Sequence, residues 1–348
     1  MATIKDVAKL AGVSVATVSR VINGSPKAGS QSVKRVRKAM LELRYQPNAS
    51  ARALAHQDSE MLGLVVADVS DPFFGAMVKA TDHVAMAHKK FLLVANGYHD
   101  GEREQQMIEQ MLRHRCRALV VHAKKLSDEQ LGEYFQQLPG MVLINRMVPA
   151  YADRCLALDD HYGAWLATSH LLSQGHRRIG FLCSDHVISD AQDRLAGYCA
   201  ALNDYDIAFD EQLVTYGSPD HTGGEHAMTE LMSMYEKFSA LICYNDSMAA
   251  GALTILYDNN VKVPEQISIV GFDDGLIARY VHPRLTTIRY PLTQMAQKAA
   301  QLAIQLADGE QGAKGAGIYK PTLIRRHSVN RYVSEFDTDM PGVIPTMR

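Results

Sequence analysis

The chain has 348 residues, 47% of them hydrophobic and 21% charged, with a formal net charge of −2. That length exceeds one ordinary core and suits a small domain followed by a larger, bilobed one. No apolar run approaches the ~18–20 residues of a membrane span, and the N-terminal Met-Ala-Thr-Ile-Lys-Asp lacks the features of a secretory signal, so a soluble, cytoplasmic protein is expected. The five cysteines (Cys116, Cys155, Cys183, Cys199 and Cys243) are scattered, with no C-x-x-C pair. They are expected to be reduced thiols, not disulfides or zinc ligands. Charge is unevenly placed. Residues 1–60 carry ten Lys or Arg against four Asp or Glu, a balance of +6 that leaves −8 on the remainder. A basic head on an acidic body is the footprint of a polyanion-binding module joined to something else.

Ile4, Val7, Ala8 and Ala11 recur at helical spacing. Gly12 ends that helix, since a sharp turn needs tolerance of positive φ. Ser14 then caps a second helix from Val15 to about Ile22, with Val18, Val21 and Ile22 facing inward. Two short helices joined through a glycine form a helix-turn-helix. A third, about 31–43, carries Lys34, Arg35, Arg37 and Lys38 outward. If the second helix enters a major groove, Val15 and Ala16 offer apolar contact to base edges, and Arg20 reaches guanine or phosphate. Thr17, Ser19 and Asn23 suit phosphate oxygens. The alternative is a three-helix bundle that binds no DNA, against which stand the charge and the polar outer face.

Pro47 and Asn48 open a short helical stretch, 49–55, too brief to be stable alone in water; ordering on binding is expected. Beyond it, apolar runs alternate with amphipathic helices. Strands are expected at 62–70, 91–97, 117–123, 141–146, 178–184, 213–217, 240–246, 267–274 and 285–290. Helices are expected at 74–87, 101–114, 163–174, 191–205, 224–235 and 247–259. Continuous Val/Ile/Leu runs indicate parallel strands covered on both faces, and repeated βα units indicate doubly wound α/β lobes. Polar residues gather at strand C-terminal ends (Asp68, Asp71, Asn96, Asn145, Arg146, Asp159, Asn245, Asp246, Asp273 and Asp274), where ligands bind in open α/β sheets. Asn145, Arg194, Asn245 and Asp273 could pair with the hydroxyls of a neutral sugar, and Phe73 and Phe74 could cover its C–H face.

The run DVAKLAGVSVATVSRVIN, then YQPNASARALA and a strand ending VADVSDPFF, resembles the lactose-repressor family. The resemblance covers roughly residues 2–330. It implies a headpiece at 1–45, in which Thr3 and Ser14 also face DNA, and a hinge helix and linker at 46–58. A two-lobed sensor and dimerisation domain at 59–330, built like a periplasmic sugar-binding protein, and a tail at 331–348 complete it. In that family paired hinge helices wedge a leucine into the minor groove; Leu54 falls at that place, with Asn48 beside the DNA. Such a wedge unstacks a base step at a cost of a few kcal/mol, offset by wider contact. Arg194 in DRLAGY, Asn245 in YNDSMAAG and Asp273 in GFDD match typical effector contacts, as do Asn145 in VLINR and Phe73-Phe74 in the closing loop. Asp246 stays open between a structural and a ligand-facing role. PGMVLINR, ALDDHYGAWLA, CYNDSMAAGA and PTLIRRHSV are most similar to the family's galactose-regulating branch, which implies D-galactose as inducer and palindromic operators with a central C-G step.

A homodimer is expected, since one head per protomer needs a partner to read two half-sites. The resemblance is not traced through the segment KAGSQSVKRVRKAM or the tail, and the tail lacks the leucine heptads of a coiled-coil tetramer. No G-x-G-x-x-G follows a strand, no P-loop occurs, and no catalytic constellation stands out, so neither an enzyme nor a cofactor or metal is expected. A transport component with the same lobes fits poorly with the basic N-terminus. A relative answering to a nucleoside, pentose or purine stays open, because Phe73 and Phe74 could stack a flat base.

Overall fold

The smallest core of the molecule depends on how tightly three short helices turn. A computed structural model describes residues 2–22, 25, 27–45, 60–234, 237–310 and 315–332. Its contacts divide the chain into two units, Met1–Glu60 and Met61–Arg348. In the first, Thr3 and Asp6 form a reciprocal capping box at the start of α1 (Ile4–Ala11). Gly12 follows with φ 61°, a conformation that costs a side-chain-bearing residue about 1 kcal/mol. Ser14 Oγ then accepts from the Thr17 amide at 3.2 Å, opening α2 (Val15–Ile22). α3 (Ser30–Glu42) closes the bundle. Val7, Ala8, Ala11, Val18, Val21, Val36 and Ala39 are its buried core, and Lys34, Arg35, Arg37 and Lys38 are exposed. The expected hinge helix at 46–58, with Asn48 and Leu54, lies outside the described residues, as does Asn23.

The second unit holds two six-stranded sheets. The first contains β1 (Met61–Val66), β2 (Phe91–Asn96), β3 (Ala118–Val121), β4 (Gly140–Ile144), β5 (Cys155–Leu158) and β11 (Gly317–Tyr319), in the order β11-β5-β4-β3-β1-β2, all parallel. The second contains β6 (Ile179–Ser184), β7 (Val214–Gly217), β8 (Ala240–Cys243), β9 (Ser268–Asp273), β10 (Thr286–Arg289) and β12 (Thr322–Ile324), in the order β12-β10-β9-β8-β6-β7, with only β12 antiparallel. Side chains alternate between faces: Leu62, Leu64 and Val66 enter one core, Val65 another. That alternation, with both faces buried, is what the continuous apolar runs encode.

α4 (Pro72–Ala87), α5 (Gly101–Arg113), α6 (Asp128–Gln137) and α12 (Leu292–Ala307) serve the first lobe; α7 (Asp160–Ser173), α8 (Ser189–Asp204), α9 (His221–Ser233) and α10 (Asp246–Asp258) serve the second, with the short α11 (Ile277–Tyr280) beside α10. The chain crosses between lobes three times: after β5, after β10 (where α12 returns to pack on β3, β4 and α4), and between β11 and β12. Sequence reading had not singled out β5, β11, β12, α6 or α12. The three strands are only three or four residues long, too short for periodicity to register. Most expected strands also run on past their observed ends. After β4 and at the end of β9 the reason is visible in the backbone: Asn145, Asp273 and Asp274 take positive φ of 61°, 104° and 53°, which turns the chain out of the sheet.

The five cysteines are free, four of them buried, and burial pushes the Cys116 and Cys183 thiols up to about 11. Among the described residues no helix is long and apolar enough to cross a membrane.

Gly197 sets the tight crossing of α8 over α7, since a Cβ there would lie 2.1 Å from the His161 carbonyl oxygen. Gly197→Ala should therefore destabilise the second unit by about 1–3 kcal/mol, read as a lower urea midpoint; an unchanged midpoint would contradict this packing.

Candidate functional site

The helix-turn-helix presents α2 with its N-terminal face open. Val15 is 41% exposed, and Ala16 and Arg20 are exposed, while Thr17 and Ser19 are half-covered. The described residues of the head leave this apolar side chain open at the start of a helix, and a thymine methyl is the type of surface that would cover it. The hydroxyls of Thr3 and Ser14 already cap their helices, Thr3 bonding Asp6 at 2.8 Å and Ser14 lying 2.9 Å from the Thr17 hydroxyl.

A cavity of about 970 Å³ opens between the C-terminal strand ends of the two sheets. Phe73, Phe74, Asn145, Arg194, Asn245 and Asp273 all line it, although 200 positions separate the first from the last. Parallel strand order brings them together, because the loops after β4, β8 and β9 and the start of α4 all emerge on one side.

Arg194 is the most constrained of these residues. It is 4% exposed; Nε donates to Asp160 Oδ1 at 2.8 Å and Nη1 to the Tyr244 carbonyl at 2.5 Å. Nη2 stands 3.9 Å from Asp273 Oδ1. The guanidinium carbon lies 3.7 Å from the Phe272 ring centroid and 4.4 Å from that of Tyr244. A delocalised cation stacked and bonded on several sides has one orientation. Burial opposes its charge, but Asp160, Tyr244 and Asp273 raise its pKa and keep it protonated.

The facing lobe supplies Asn145, whose carbonyl accepts from Lys124 Nζ and whose side-chain oxygen accepts from the Tyr290 hydroxyl. Lys124 also reaches Asp190 across the lobes at 3.4 Å, both side chains being buried. Phe73 meets Phe74 and Tyr290 edge-on at 5.2 and 5.3 Å between centroids.

Not every strand-end polar residue is available to a ligand. Asn245 caps α10, accepting from the Met248 amide at 2.8 Å and donating to the Pro219 carbonyl at 2.7 Å. Asp246, also on the cavity wall, has internal donors for both oxygens, accepting from the Thr287 hydroxyl at 2.7 Å and the Gly275 amide at 2.8 Å. Asp274 is held by Arg289 and Arg326.

Sequence reading missed His99, His122 and His186, which line the same cavity, and the buried groups Asp160, Asp190 and Lys124. His99 lies 5.1 Å from His186 and 5.8 Å from His122 between ring centroids. Burial lowers His99 to about 4 and holds His122 well below the ordinary histidine value, so both are neutral near pH 7. The Nδ1 atoms of all three have no hydrogen-bond partner among the described residues, leaving unfilled polar capacity on the cavity wall. Their signal was present: His99 and His122 follow β2 and β3 as Asn145 follows β4, and the strand-end rule had been applied only to Asp, Asn and Arg. Asp190 and Arg194 stand one helical turn apart on α8.

Burial also sorts the carboxyls. It raises Asp160 to about 6 despite Arg194, raises Asp246 to about 7, and raises Asp273 well above its ordinary value. Asp190 is the exception, because Lys124 and Arg194 outweigh its burial and hold it at about 2. Among the described residues no group of three or more His, Cys, Asp or Glu could hold a metal ion.

A family model described as "Bacterial regulatory proteins, lacI family" matches residues 3–48, and one described as "Periplasmic binding protein-like domain" matches residues 168–329. Over 330 residues the chain is 61% identical to the HTH-type transcriptional regulator GalR of Escherichia coli (strain K12), covering 95% of this chain and 96% of that one. The chain belongs to the lacI family of bacterial regulatory proteins. It is 51% identical to the HTH-type transcriptional regulator GalS of Salmonella typhimurium, over 94% of this chain and 97% of the relative. Among solved structures, the lac repressor dimer bound to operator and the anti-inducer ONPF superposes with a TM-score of 0.83 at 25% identity, covering 94% of this chain and 99% of that one. As a member of the lacI family, the chain is a DNA-binding, sugar-responsive repressor.

Asp246 offers a test of the buried support. Its folded pKa, about 7, lies above the unfolded value, so its contribution is fully present below about pH 4 and is lost as pH rises through 7. The stability advantage of the wild type over Asp246→Asn should shrink by a few kcal/mol between pH 4 and 8 in urea titrations; a constant difference would contradict it.

Proposed function

We propose that this lacI-family member represses galactose utilisation genes and is released from a palindromic operator by D-galactose. The observation that carries the reading is the immobilised Arg194 guanidinium. With Asp273 beside it and Asn145 across the cleft, it forms a planar hydrogen-bonding set suited to a neutral polyol, while Phe73 and Phe74 give apolar cover. Identity to GalR over nearly the whole chain supports the same assignment.

The unit of function is a homodimer, each protomer placing α2 in one half-site. Val15 and Ala16 meet base edges, Arg20 a guanine or phosphate, and Thr3, Ser14, Thr17, Ser19, Asn23 and Asn48 lie against the backbone. Leu54 is the minor-groove wedge. Galactose between the lobes favours an arrangement in which the two hinge segments separate, weakening DNA binding. The protein acts in the cytoplasm as a regulator, without enzymatic activity, metal or cofactor.

Thermal-shift measurements with D-galactose, ribose, cytidine and hypoxanthine test the effector directly. Stabilisation by galactose alone is expected; stabilisation by cytidine or hypoxanthine instead would replace the sugar by a flat base. Arg194→Lys keeps a positive charge beside Asp160 but loses the planar fork. It should bind operator as the wild type does, with galactose affinity at least tenfold weaker; undiminished galactose affinity would remove Arg194 from the site.

A further inference from the structure

When a helix ends in a Schellman turn, the residue after the cap takes the left-handed conformation, where glycine is usual because a Cβ is strained there. In the second unit Gly175 and Gly309 fill that place after α7 and α12, and Asp206 and Asn260 after α8 and α10. Asp and Asn visit the region readily. After α4 and α5 the occupants are instead Lys89, φ 55°, and Arg115, φ 59°. Both turns are closed by the following amide, Lys90 to the Ala85 carbonyl at 2.8 Å and Cys116 to the Met111 carbonyl at 3.0 Å. The same choice occurs in the DNA-reading head, where Arg44, φ 46°, follows α3. A cation near a helix C-terminus also suits the helix dipole. That benefit is available one residue earlier, without backbone strain, and the turns after α7, α8, α10 and α12 put no cation at this place.

Sheet order gives these two positions a common address. Lys89 leads into β2 and Arg115 into β3, and those strands flank β1 on either side, Met61 pairing with Phe91 and Leu62 with Ala118. Met61 is the strand residue by which the linker from the head enters the lobe. Lys89 and Arg115 are exposed and have no partner among the described residues. Arg113 and Arg117 are exposed beside them, Arg113 pairing with Glu109 and Arg117 donating to the Ala307 carbonyl at 3.1 Å. This edge is therefore cationic on a body that is acidic overall. Residues 46–59 join Tyr45 to Glu60, a covalent tether of at most about 50 Å when fully extended.

We propose that Lys89 and Arg115 contact DNA phosphates, making the linker-entry edge of the first lobe a second, sequence-independent DNA-binding surface. The inference rests on the reading of the chain as a DNA-binding repressor and adds to it a surface outside the head and hinge.

The test is the double variant Lys89→Gly/Arg115→Gly in the full-length protein, because glycine suits the left-handed backbone at both positions. Thermal stability should be equal or higher and the galactose-induced thermal shift unchanged, which separates a loss of DNA contact from misfolding. Affinities for operator and for random duplex are measured by fluorescence anisotropy between 50 and 200 mM salt. Each lost phosphate contact lowers the slope of log K against log salt by about 0.9. The slope should become shallower by about 2–4 in the dimer, with affinity at least tenfold lower at 50 mM salt on both duplexes. An unchanged slope, or a loss confined to the operator, would overturn the proposal. A wild type with no preference for operator would instead overturn the repressor reading itself.

Discussion

The effector cleft depends on the pairing of Arg194 with Asp160 and Asp273, because carboxyls crowd its wall and one buried guanidinium answers two of them. Asp160, Asp190, Asp246 and Asp273 are all largely withdrawn from water, against Arg194 and Lys124. Ionised carboxylates in such a place are expensive unless paired and hydrogen-bonded. Arg194 answers two of them, Lys124 answers Asp190, and Asp246 is supported by a hydroxyl and an amide. The crowding of carboxyls raises Asp160, Asp246 and Asp273, chiefly through burial and secondly through neighbouring carboxylates, while at Asp190 Lys124 and Arg194 outweigh burial. It also suits an uncharged ligand: a polyol can take hydrogen bonds from this set without adding another charge to desolvate.

The same residues stand where the chain passes between lobes. Asp160 opens α7 immediately after the first crossing, and Tyr290, bonded to Asn145 of the facing lobe, follows β10 at the second. Lys124 and Asp190 join the two walls directly. A molecule that bonds to Arg194 on one side and Asn145 on the other therefore acts on the contacts that set the angle between lobes. This is the physical meaning of an allosteric effector, a ligand with different affinity for two arrangements of the same chain.

Much of this was legible in the sequence because the governing patterns are local. Gly12 and Ser14 mark a turn and a cap within three residues, and Val/Ile/Leu runs of both-face-buried strands need no long-range information. The cleft was legible only through a rule about strand ends, and that rule found Asn145 and Asp273 while leaving out His99 and His122. Asp160, Asp190 and Lys124 were not legible, since nothing in their local sequence distinguishes an exposed charge from one that sheet order will bury. The short strands β11 and β12 lie beyond periodicity altogether; each has three residues, and their places are set by the crossings that precede them. Asn245 shows a residue with two tasks, for the strand-end rule places it on the cavity wall while its amide also caps α10 and holds the Pro219 loop.

Reciprocal coupling between the DNA-reading head and the cleft is the central claim, and calorimetric titration of D-galactose into free and operator-saturated protein measures it most directly. Linkage requires the sugar to bind operator-saturated protein about 5–150-fold more weakly. Equal affinities in the two titrations would show that the cleft does not control the head, and the account would fail.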